Sequence, residues 1–261
     1  MEGLDITGAL GAGTLVLGQW RSVYKHVIAE GDVNSVRRAI YALQCLHGHP
    51  HIVELDGIVV DSQQRIHGYT MPYIPGGTLE HMSVFHVAWF LQLAKTVDDL
   101  NFRHNIIHGD IFPRNVIASS AGIKLIDFGW ATMEPGACKD FDADCVLCTL
   151  YECMTKRRLA DRSWGDYSST KDLYARWVQD ILGVDSDWSL AQGVAFDTNS
   201  IELKDLLCRW KVERRKPCYS WDTFIYSERE MAWTNGSSLK ASLDSLSDHT
   251  VEGLVGLKTL A

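Results

Sequence analysis

The pattern of apolar and polar residues predicts a strand-rich beginning followed by a helical remainder. Four short segments are rich in β-branched and apolar residues, as is typical of strands: Thr14–Leu17, Ser22–Ile28, Ile52–Val60 and Ile66–Thr70. The first two are separated by Gly18, which favours a hairpin. Between Asn34 and Leu46, apolar residues recur at the spacing of one helix face, so this stretch is predicted to be a helix among the strands.

From Leu79 onward the apolar spacing becomes helical. The stronger helix predictions are Val84–His104, Cys145–Met154, Leu173–Leu182 and Ile201–Arg215. We therefore predict an α+β protein with a small β-rich N-terminal lobe, residues 1–72, and a larger helical lobe, residues 73–233. Residues 234–261 are rich in serine and poor in aromatics, which predicts a flexible tail.

Composition and charge narrow the class of protein. Hydrophobic residues make up 46% and charged residues 22% of 261 residues, as expected for a folded domain. The net charge of −8 argues against nucleic-acid or anionic-membrane binding driven by overall positive charge. The stretch 6–20 fits neither a signal peptide nor a membrane span, and the seven cysteines are read as reduced thiols. We therefore expect an intracellular, cytoplasmic protein.

The strongest local motif lies in the middle of the chain. His108-Gly109-Asp110-Ile111-Phe112-Pro113-Arg114-Asn115 is followed by the apolar stretch Ile123–Ile126 and then by Asp127-Phe128-Gly129. Phosphoryl transfer from ATP needs an acidic group that orients the acceptor hydroxyl and oxygen ligands that hold magnesium on the phosphates. Asp110 suits the first role, and Asn115 and Asp127 suit the second.

These two motifs, in this order and at this spacing, resemble the protein-kinase-like superfamily, in particular short and divergent kinase-like proteins of fungal type. The resemblance covers roughly residues 8–233. It implies a bilobal fold, ATP and Mg²⁺ as cofactors, a catalytic Asp110, and metal ligands Asn115 and Asp127.

The segment Met71–Glu80 resembles the hinge between the two lobes of a protein kinase, where the backbone binds adenine. By that resemblance Met71 is the gatekeeper, the Pro72 carbonyl accepts from the adenine amine, and the Ile74 amide donates to the ring. Thr78 belongs to the same nucleotide-binding stretch. Proline lacks an N–H, but its position uses only a carbonyl. A proline- and glycine-rich turn without a ligand is the alternative interpretation.

Lys25 is the only lysine before Lys95 and falls in a predicted strand. It resembles the catalytic lysine that holds the α- and β-phosphates, with Val23 lining the adenine pocket. Upstream, Gly11, Gly13 and Val16 resemble a shortened phosphate-covering loop that lacks the third glycine of the family pattern. A solvated strand lysine is the alternative interpretation.

Three departures from the family pattern bear on activity. The helix glutamate that usually pairs with the strand lysine should fall at Ala39 and is absent. Gly109 replaces the arginine that usually reads an activation-loop phosphate. The interval between Asp127-Phe128-Gly129 and the helix that begins near Asp142 is short and contains no Ala-Pro-Glu. Asp142 resembles the residue that braces the catalytic loop.

Two other clusters carry residue types that bind metals. Cys145 and Cys148, with Cys138 and Cys153 nearby, have a zinc-compatible spacing, and His47, His49 and His51 alternate in a loop. We favour non-metal interpretations of both. The cysteines fall on a helix expected to be buried, where cysteine behaves as a small hydrophobe.

The sequence therefore predicts an ATP- and Mg²⁺-dependent phosphotransferase of protein-kinase type that acts on a serine or threonine hydroxyl. Its partners would be ATP and an unidentified protein or small-molecule phosphoacceptor, with no nucleic acid and no membrane span. Two alternatives stay open. One is a pseudokinase that serves as a nucleotide-binding or scaffolding module, which Ala39 favours. The other is a small-molecule kinase, in which the His-Gly-Asp form also occurs.

Overall fold

The computed structural model describes residues 5–10, 13–17, 21–27, 32–134, 139–159, 176–183, 186–235 and 237–244. For residues 5–10, 13–17, 21 and 233–235 it describes the backbone only. The chain divides into two compact units, Met1–His81 with Thr96–Cys145, and Met82–Lys95 with Val146–Ala261. The lobe boundaries at residues 72 and 233 stay predictions.

An antiparallel sheet of five strands dominates the beginning of the first unit, in the order β1-β2-β3-β5-β4. Its strands are β1 (Asp5–Leu10), β2 (Gly13–Leu17), β3 (Arg21–His26), β4 (Gly57–Val60) and β5 (Ile66–Pro72). The predicted hairpin is confirmed as β2 and β3. The strand predicted from Ile52 begins only at Gly57, because Ile52 bridges Leu125 and the Val53 amide donates to the Leu125 carbonyl at 3.1 Å.

Helix α1 spans Asp32–Cys45 and confirms the single helix predicted among the strands. Val36, Ala39, Ile40 and Leu43 are buried, which is the i, i+3, i+4, i+7 pattern of one helix face. Helix α1 packs against β5 and against a 3₁₀ turn at Phe128–Trp130. The helix therefore lies beside the Asp-Phe-Gly motif.

A smaller sheet in the first unit carries the two motifs. It consists of β6 (Gly77–Thr78), β8 (Val116–Ser119) and β9 (Gly122–Leu125), with β8 in the middle. The catalytic-loop sequence enters β8 through a 3₁₀ turn at Pro113–Asn115. Asp127 follows β9 by two residues. The antiparallel pairing of β8 with β9 thus places the end of one motif beside the start of the other.

The helix predicted over Val84–His104 is divided into three elements. Strand β7 (Val84–Phe85) comes first, then α2 (Val87–Asp98), then a π-helix at Asp99–Arg103. The strand replaces the first helical turn because β7 pairs with β10 (Ala195–Phe196). The Asp197 carboxylate then accepts from the Val87 amide at 2.8 Å, which caps the start of α2.

The described residues of the C-terminal half are mainly helical. It contains α3 (Asp140–Thr155), the described part of α4 (176–182), α5 (Ser200–Glu213) and α6 (Trp221–Asn235). Helix α3 begins before the predicted Cys145. In the segment predicted as a tail, residues 237–244 form a turn and a helical stretch in which Leu239 and Leu243 are buried.

The strand-rich N-terminal part and helical C-terminal part confirm the α+β class. In the part of the chain that the structure describes, no helix has the length and apolarity needed to cross a membrane.

Candidate active site

Lys25 extends from β3 toward Asp127, the residue that begins the second motif. Its Nζ lies 2.7 Å from Oδ2 of Asp127, and the two side chains are 17% and 31% exposed. Strand β3 lies between β2 and β5, so its backbone is held on both sides. Lys25 is paired in register with the buried Tyr69, which places it at the centre of the sheet. The described structure therefore gives the lysine a carboxylate partner, although helix α1 offers none at Ala39.

Asp127 adopts a left-handed backbone conformation, with φ 66° and ψ 68°. A non-glycine residue in this region costs about 1 kcal/mol or more, so surrounding contacts must hold it there. Burial raises the pKa of its carboxyl group, but the charge and the hydrogen bond of Lys25 outweigh burial and the net shift is downward. Asp127 therefore carries an ionised carboxylate at neutral pH.

Asp110 is 4% exposed, and both of its carboxylate oxygens accept hydrogen bonds. Arg114 donates from Nη2 to Oδ1 at 2.7 Å. Asn115 donates from Nδ2 to Oδ2 at 2.8 Å and also to the Asp110 backbone carbonyl at 2.8 Å. Burial raises the pKa of Asp110 to about 6, despite the opposing charge of Arg114. The carboxylate is fixed in orientation and titrates close to neutral pH.

Asp142, at the start of α3, braces the loop that carries Asp110. Its carboxylate accepts from the His108 amide at 2.9 Å, the Gly109 amide at 3.0 Å and Asn101 Nδ2 at 2.9 Å. The residue is fully buried. These bonds fix the backbone directly before Asp110, as the sequence resemblance implied.

His108 links the two motifs. Its Nδ1 accepts from the Asp110 amide at 3.1 Å, and its Nε2 lies 3.0 Å from the Ile126 carbonyl. Burial lowers the pKa of His108, which favours the neutral ring. Because Nδ1 acts as acceptor, the proton belongs on Nε2, which donates to Ile126. The ring also packs against Phe128 at a centroid distance of 4.6 Å.

Gly109 has a positive φ of 78°, and a Cβ built on it would lie 2.8 Å from the Trp130 carbonyl oxygen. The glycine that replaces the usual arginine therefore permits a close approach between the catalytic loop and the turn after Asp127.

A cavity of about 560 Å³ lies beside these residues. Strand pairing explains part of its wall, because Val23 and Lys25 point to the same face of β3 and Val23 is in register with Met71. The predicted site residues that line it are Val23, Lys25, Met71, Pro72, Ile74, Thr78, Asn115 and Asp127. Its apolar wall and polar end fit a ligand with an apolar ring and a charged group.

For three residues predicted to contact the nucleotide, the structure does not describe a side chain that could line this cavity. Gly11 lies outside the described residues, and Gly13 and Val16 lie in β2, where only the backbone is described. Asp110 is adjacent to the cavity through its bonds to Asn115 and Arg114. The phosphate-covering loop stays a prediction.

Two arginines near this site were not predicted from the sequence to be functional residues. Arg114 lines the cavity and pairs with Asp110. The sequence could have indicated this pairing, since Arg114 stands four residues after Asp110 in a short turn. Arg38 donates from Nε to the Gly129 carbonyl at 2.9 Å. Nothing in the sequence distinguished Arg38 from a solvated helix residue.

The cysteines with zinc-like spacing are buried side chains of α3. Cys145, Cys148 and Cys153 are buried, and burial raises the pKa of the Cys153 thiol. Cys138 lies outside the described residues. Buried protonated thiols behave as small apolar side chains.

Curated relatives of the chain are protein kinases. An Aurora kinase of Eremothecium gossypii is 26% identical over 192 residues, which cover 70% of this chain and 48% of the relative. Calcium-dependent protein kinase 21 of Arabidopsis thaliana is 31% identical over 121 residues, 42% of this chain and 22% of the relative. The receptor tyrosine-protein kinase erbB-4 of Homo sapiens is 31% identical over 103 residues, 37% of this chain and 8% of the relative. The chain spans less than half the length of these relatives.

A sequence profile of the protein kinase domain matches residues 20–175, more than half of the chain. The matched range contains Lys25, the hinge-like segment, both motifs and Asp142. The chain therefore belongs to the protein kinase domain family.

Proposed function

We propose that this protein binds ATP with Mg²⁺ and transfers the γ-phosphoryl group to a serine or threonine hydroxyl. The observation that carries the proposal is two pairs of polar side chains at or beside the cavity. Lys25 pairs with Asp127 at 2.7 Å, and Asp110 is held by Asn115 at 2.8 Å. A lysine, two metal-ligand candidates and a carboxylate base are the parts that phosphoryl transfer requires.

The apolar end of the cavity suits adenine. Met71 and Pro72 end strand β5, and Ile74 follows within the same wall. By family resemblance, the Pro72 carbonyl would accept from the adenine amine and the Ile74 amide would donate to the ring. Thr78 Oγ1 is buried, and it has no hydrogen-bond partner within the described structure. A ribose hydroxyl would satisfy this oxygen, since an unpartnered buried hydroxyl is otherwise costly.

The residues at the polar end fit a magnesium ion. Mg²⁺ prefers oxygen ligands and binds through one or two carboxylates together with substrate phosphates. Asp127 supplies an ionised carboxylate. Asn115 uses its Nδ2 to hold Asp110, and these bonds do not involve its oxygen Oδ1, the atom that a magnesium ion would take. When bound, the ion would neutralise charge on the phosphates.

Asp110 is suited to accept the proton of an acceptor hydroxyl. General-base catalysis is most effective when the pKa of the base lies near the working pH, and burial raises the pKa of Asp110 to about 6. Its hydrogen bonds to Arg114 and Asn115 hold the carboxylate in one orientation before an acceptor binds. We expect phosphoryl transfer to decline below about pH 6, because the protonated carboxyl group can no longer act as a base.

Two observations favour a pseudokinase as the second candidate. Ala39 provides no carboxylate for Lys25, and Lys25 is instead neutralised by Asp127. A lysine engaged by the metal-binding aspartate is less available for phosphates. This alternative predicts nucleotide binding without turnover. The small-molecule kinase shares the proposed site residues and differs in the acceptor.

Asp110→Asn and Asp127→Asn test the site, with Asp205→Asn on the exposed side of α5 as the matched control. Each protein is assayed for Mg²⁺-dependent transfer of the γ-phosphoryl group of ATP, and nucleotide binding is followed by thermal shift. We expect the wild type and Asp205→Asn to turn over, and both site variants to lose at least about a hundredfold in kcat. Turnover that survives Asp127→Asn would refute the site assignment, and binding without turnover in the wild type would establish the pseudokinase.

The acceptor is tested separately with the active protein. Generic serine and threonine protein substrates, a tyrosine-containing peptide and a panel of hydroxyl-bearing metabolites are offered in parallel. The proposal expects label on serine or threonine. Label confined to tyrosine or to a metabolite would overturn the acceptor assignment and leave the phosphotransferase assignment intact.

A further inference from the structure

Helix α1 reaches the Asp-Phe-Gly turn through Arg38, the residue directly before Ala39. Arg38 donates from Nε to the Gly129 carbonyl at 2.9 Å. Its guanidinium carbon also lies 5.7 Å from the centre of the Trp130 ring, within cation–π range. One arginine therefore contacts two consecutive residues of the turn that follows Asp127.

The helix and the turn approach each other at a glycine. A Cβ on Gly129 would overlap Ser35 Oγ, so a side chain at position 129 would force Ser35 to shift. Ser35 and Arg38 are three residues apart and share one face of α1. Ser35 and Arg38 both lie beside Gly129, and Arg38 provides the hydrogen bond to it.

The Gly129 peptide connects Arg38 to Asp127. Its carbonyl accepts from Arg38, and Asp127 Oδ1 lies close to the same residue, 3.5 Å from where a Cβ on Gly129 would stand. Asp127 itself has the left-handed backbone, which needs support from its surroundings. A shift of Gly129, which follows Asp127 by two residues, would move a residue that lies directly beside this carboxylate.

We propose that Arg38 is a positioning residue, which holds the Gly129 peptide and through it the Asp127 carboxylate. It does so from helix α1, which lacks a glutamate at position 39. The inference rests on the proposed function, in which Asp127 holds the metal. Arg38 acts on the aspartate from its backbone side, whereas Lys25 pairs with its carboxylate. Helix α1 therefore remains coupled to the proposed metal site without an ion pair to Lys25.

Two substitutions of Arg38 distinguish the effect of its hydrogen bond to Gly129 from the effects of its charge and size. In Arg38→Gln the amide nitrogen occupies the place of Arg Nε and can still donate to Gly129. Arg38→Met has similar length and no donor. Both remove the charge and both are good helix formers. Arg37→Met is the matched control, because Arg37 is an exposed neighbour on the same helix.

The first measurement is amide hydrogen exchange over residues 126–134, which requires no ligand. The described bonds in this segment include the Ala131 amide to the Phe128 carbonyl at 3.0 Å. We expect Arg38→Met to speed exchange in this segment about three- to tenfold, and Arg38→Gln and Arg37→Met to stay within about twofold of the wild type. Equal exchange in the Met and Gln variants of Arg38 would overturn the proposal.

The second measurement is the Mg²⁺ concentration at which ATP stabilises the protein halfway in thermal shift. Arg38→Met should raise this midpoint about three- to tenfold, and Arg38→Gln should restore it. A midpoint that Arg38→Met leaves unchanged, in a wild type that binds Mg²⁺ and ATP, refutes the positioning role and leaves the proposed function standing. A wild type that binds neither ligand refutes the proposed function, while the exchange measurement still decides the role of Arg38 in the turn.

Discussion

The buried carboxyl group of Asp110 makes the stability of this protein depend on pH in a defined direction. Asp110 is 4% exposed, and burial raises its pKa from 3.8 to about 6. The perturbation that isolates this group is Asp110→Asn, which keeps the shape of the side chain and removes its titration. Wild type and variant are then compared across pH.

The magnitude follows from the difference between the two pKa values. A pKa of about 6 in the folded protein and 3.8 in the unfolded chain corresponds to about 3 kcal/mol. Between about pH 4 and pH 6, the folded state keeps a proton that the unfolded state has released. The free energy of unfolding therefore falls as the pH rises through this window, and the contribution of Asp110 is constant above it.

The variant adds a cost that does not depend on pH. The Asn115 Nδ2 donates to one oxygen of Asp110 and Arg114 donates to the other. An amide at position 110 can accept only one of these bonds with its oxygen and would turn its NH₂ toward the other donor. The lost bond costs about 1–3 kcal/mol at every pH. The titration of Asp110 is therefore measured by how the difference in unfolding free energy between wild type and variant changes with pH.

The assay is urea unfolding of both proteins from about pH 4 to about pH 8, with Asp205→Asn as the exposed control. We expect the stability of the wild type, relative to Asp110→Asn, to fall by about 2 kcal/mol between about pH 4 and pH 6, which is the part of the full difference that lies within this window. Asp205→Asn should follow the wild type. Parallel curves for wild type and Asp110→Asn would show that Asp110 titrates alike in both states and would refute the reasoning from burial.

Three further substitutions have defined outcomes. Gly109→Ala should destabilise the protein by about 2–4 kcal/mol in urea unfolding, because the new Cβ meets the Trp130 carbonyl and the backbone has a positive φ. Gly48 has a similar φ but open space around it, so Gly48→Ala should cost only about 1 kcal/mol. Asp142→Ala should cost about 3–5 kcal/mol in the same assay, since it leaves buried N–H groups without an acceptor. Lys25→Met removes the cation that lowers the pKa of its aspartate partner, so the stability that the wild type loses on acidification below about pH 4 should shrink in the variant, as measured by urea unfolding across pH.

The sequence was sufficient to predict those features that local pattern determines. The helix face of Val36, Ala39, Ile40 and Leu43 is a 3.6-residue period, and the structure buries it. The β2–β3 hairpin follows from two apolar segments and a glycine. The motifs around Asp110 and Asp127 could be placed because their residue types and spacing are those of a known family.

Features that depend on long-range pairing were not predictable. The segment that begins at Val84 has a helical period, but pairing with Ala195–Phe196 makes its first residues a strand. Ile52 was read as the start of a strand, and its pairing with Leu125 removes it from the sheet. In both cases the partner is distant in sequence, so tertiary contacts override the local preference.

The pairing of Lys25 with Asp127 was not expected, and it has a consequence for ligand binding. In a chain with a glutamate at position 39, the lysine could keep a carboxylate partner while the aspartate held the metal. Here one aspartate would serve both, since Lys25 Nζ lies 2.7 Å from Asp127 and Ala39 offers no charge. Phosphates that attract Lys25 would leave the negative charge of Asp127 less well neutralised. A bound Mg²⁺ would neutralise that charge again. Each ligand should therefore strengthen the binding of the other. We therefore expect the affinity for ATP to rise at least about fivefold on addition of Mg²⁺ in the wild type, and this gain to shrink in Asp127→Asn, as measured by calorimetry. An equal gain in the two proteins would show that Mg²⁺ acts through the nucleotide alone and that the Lys25–Asp127 pair does not couple the two ligands.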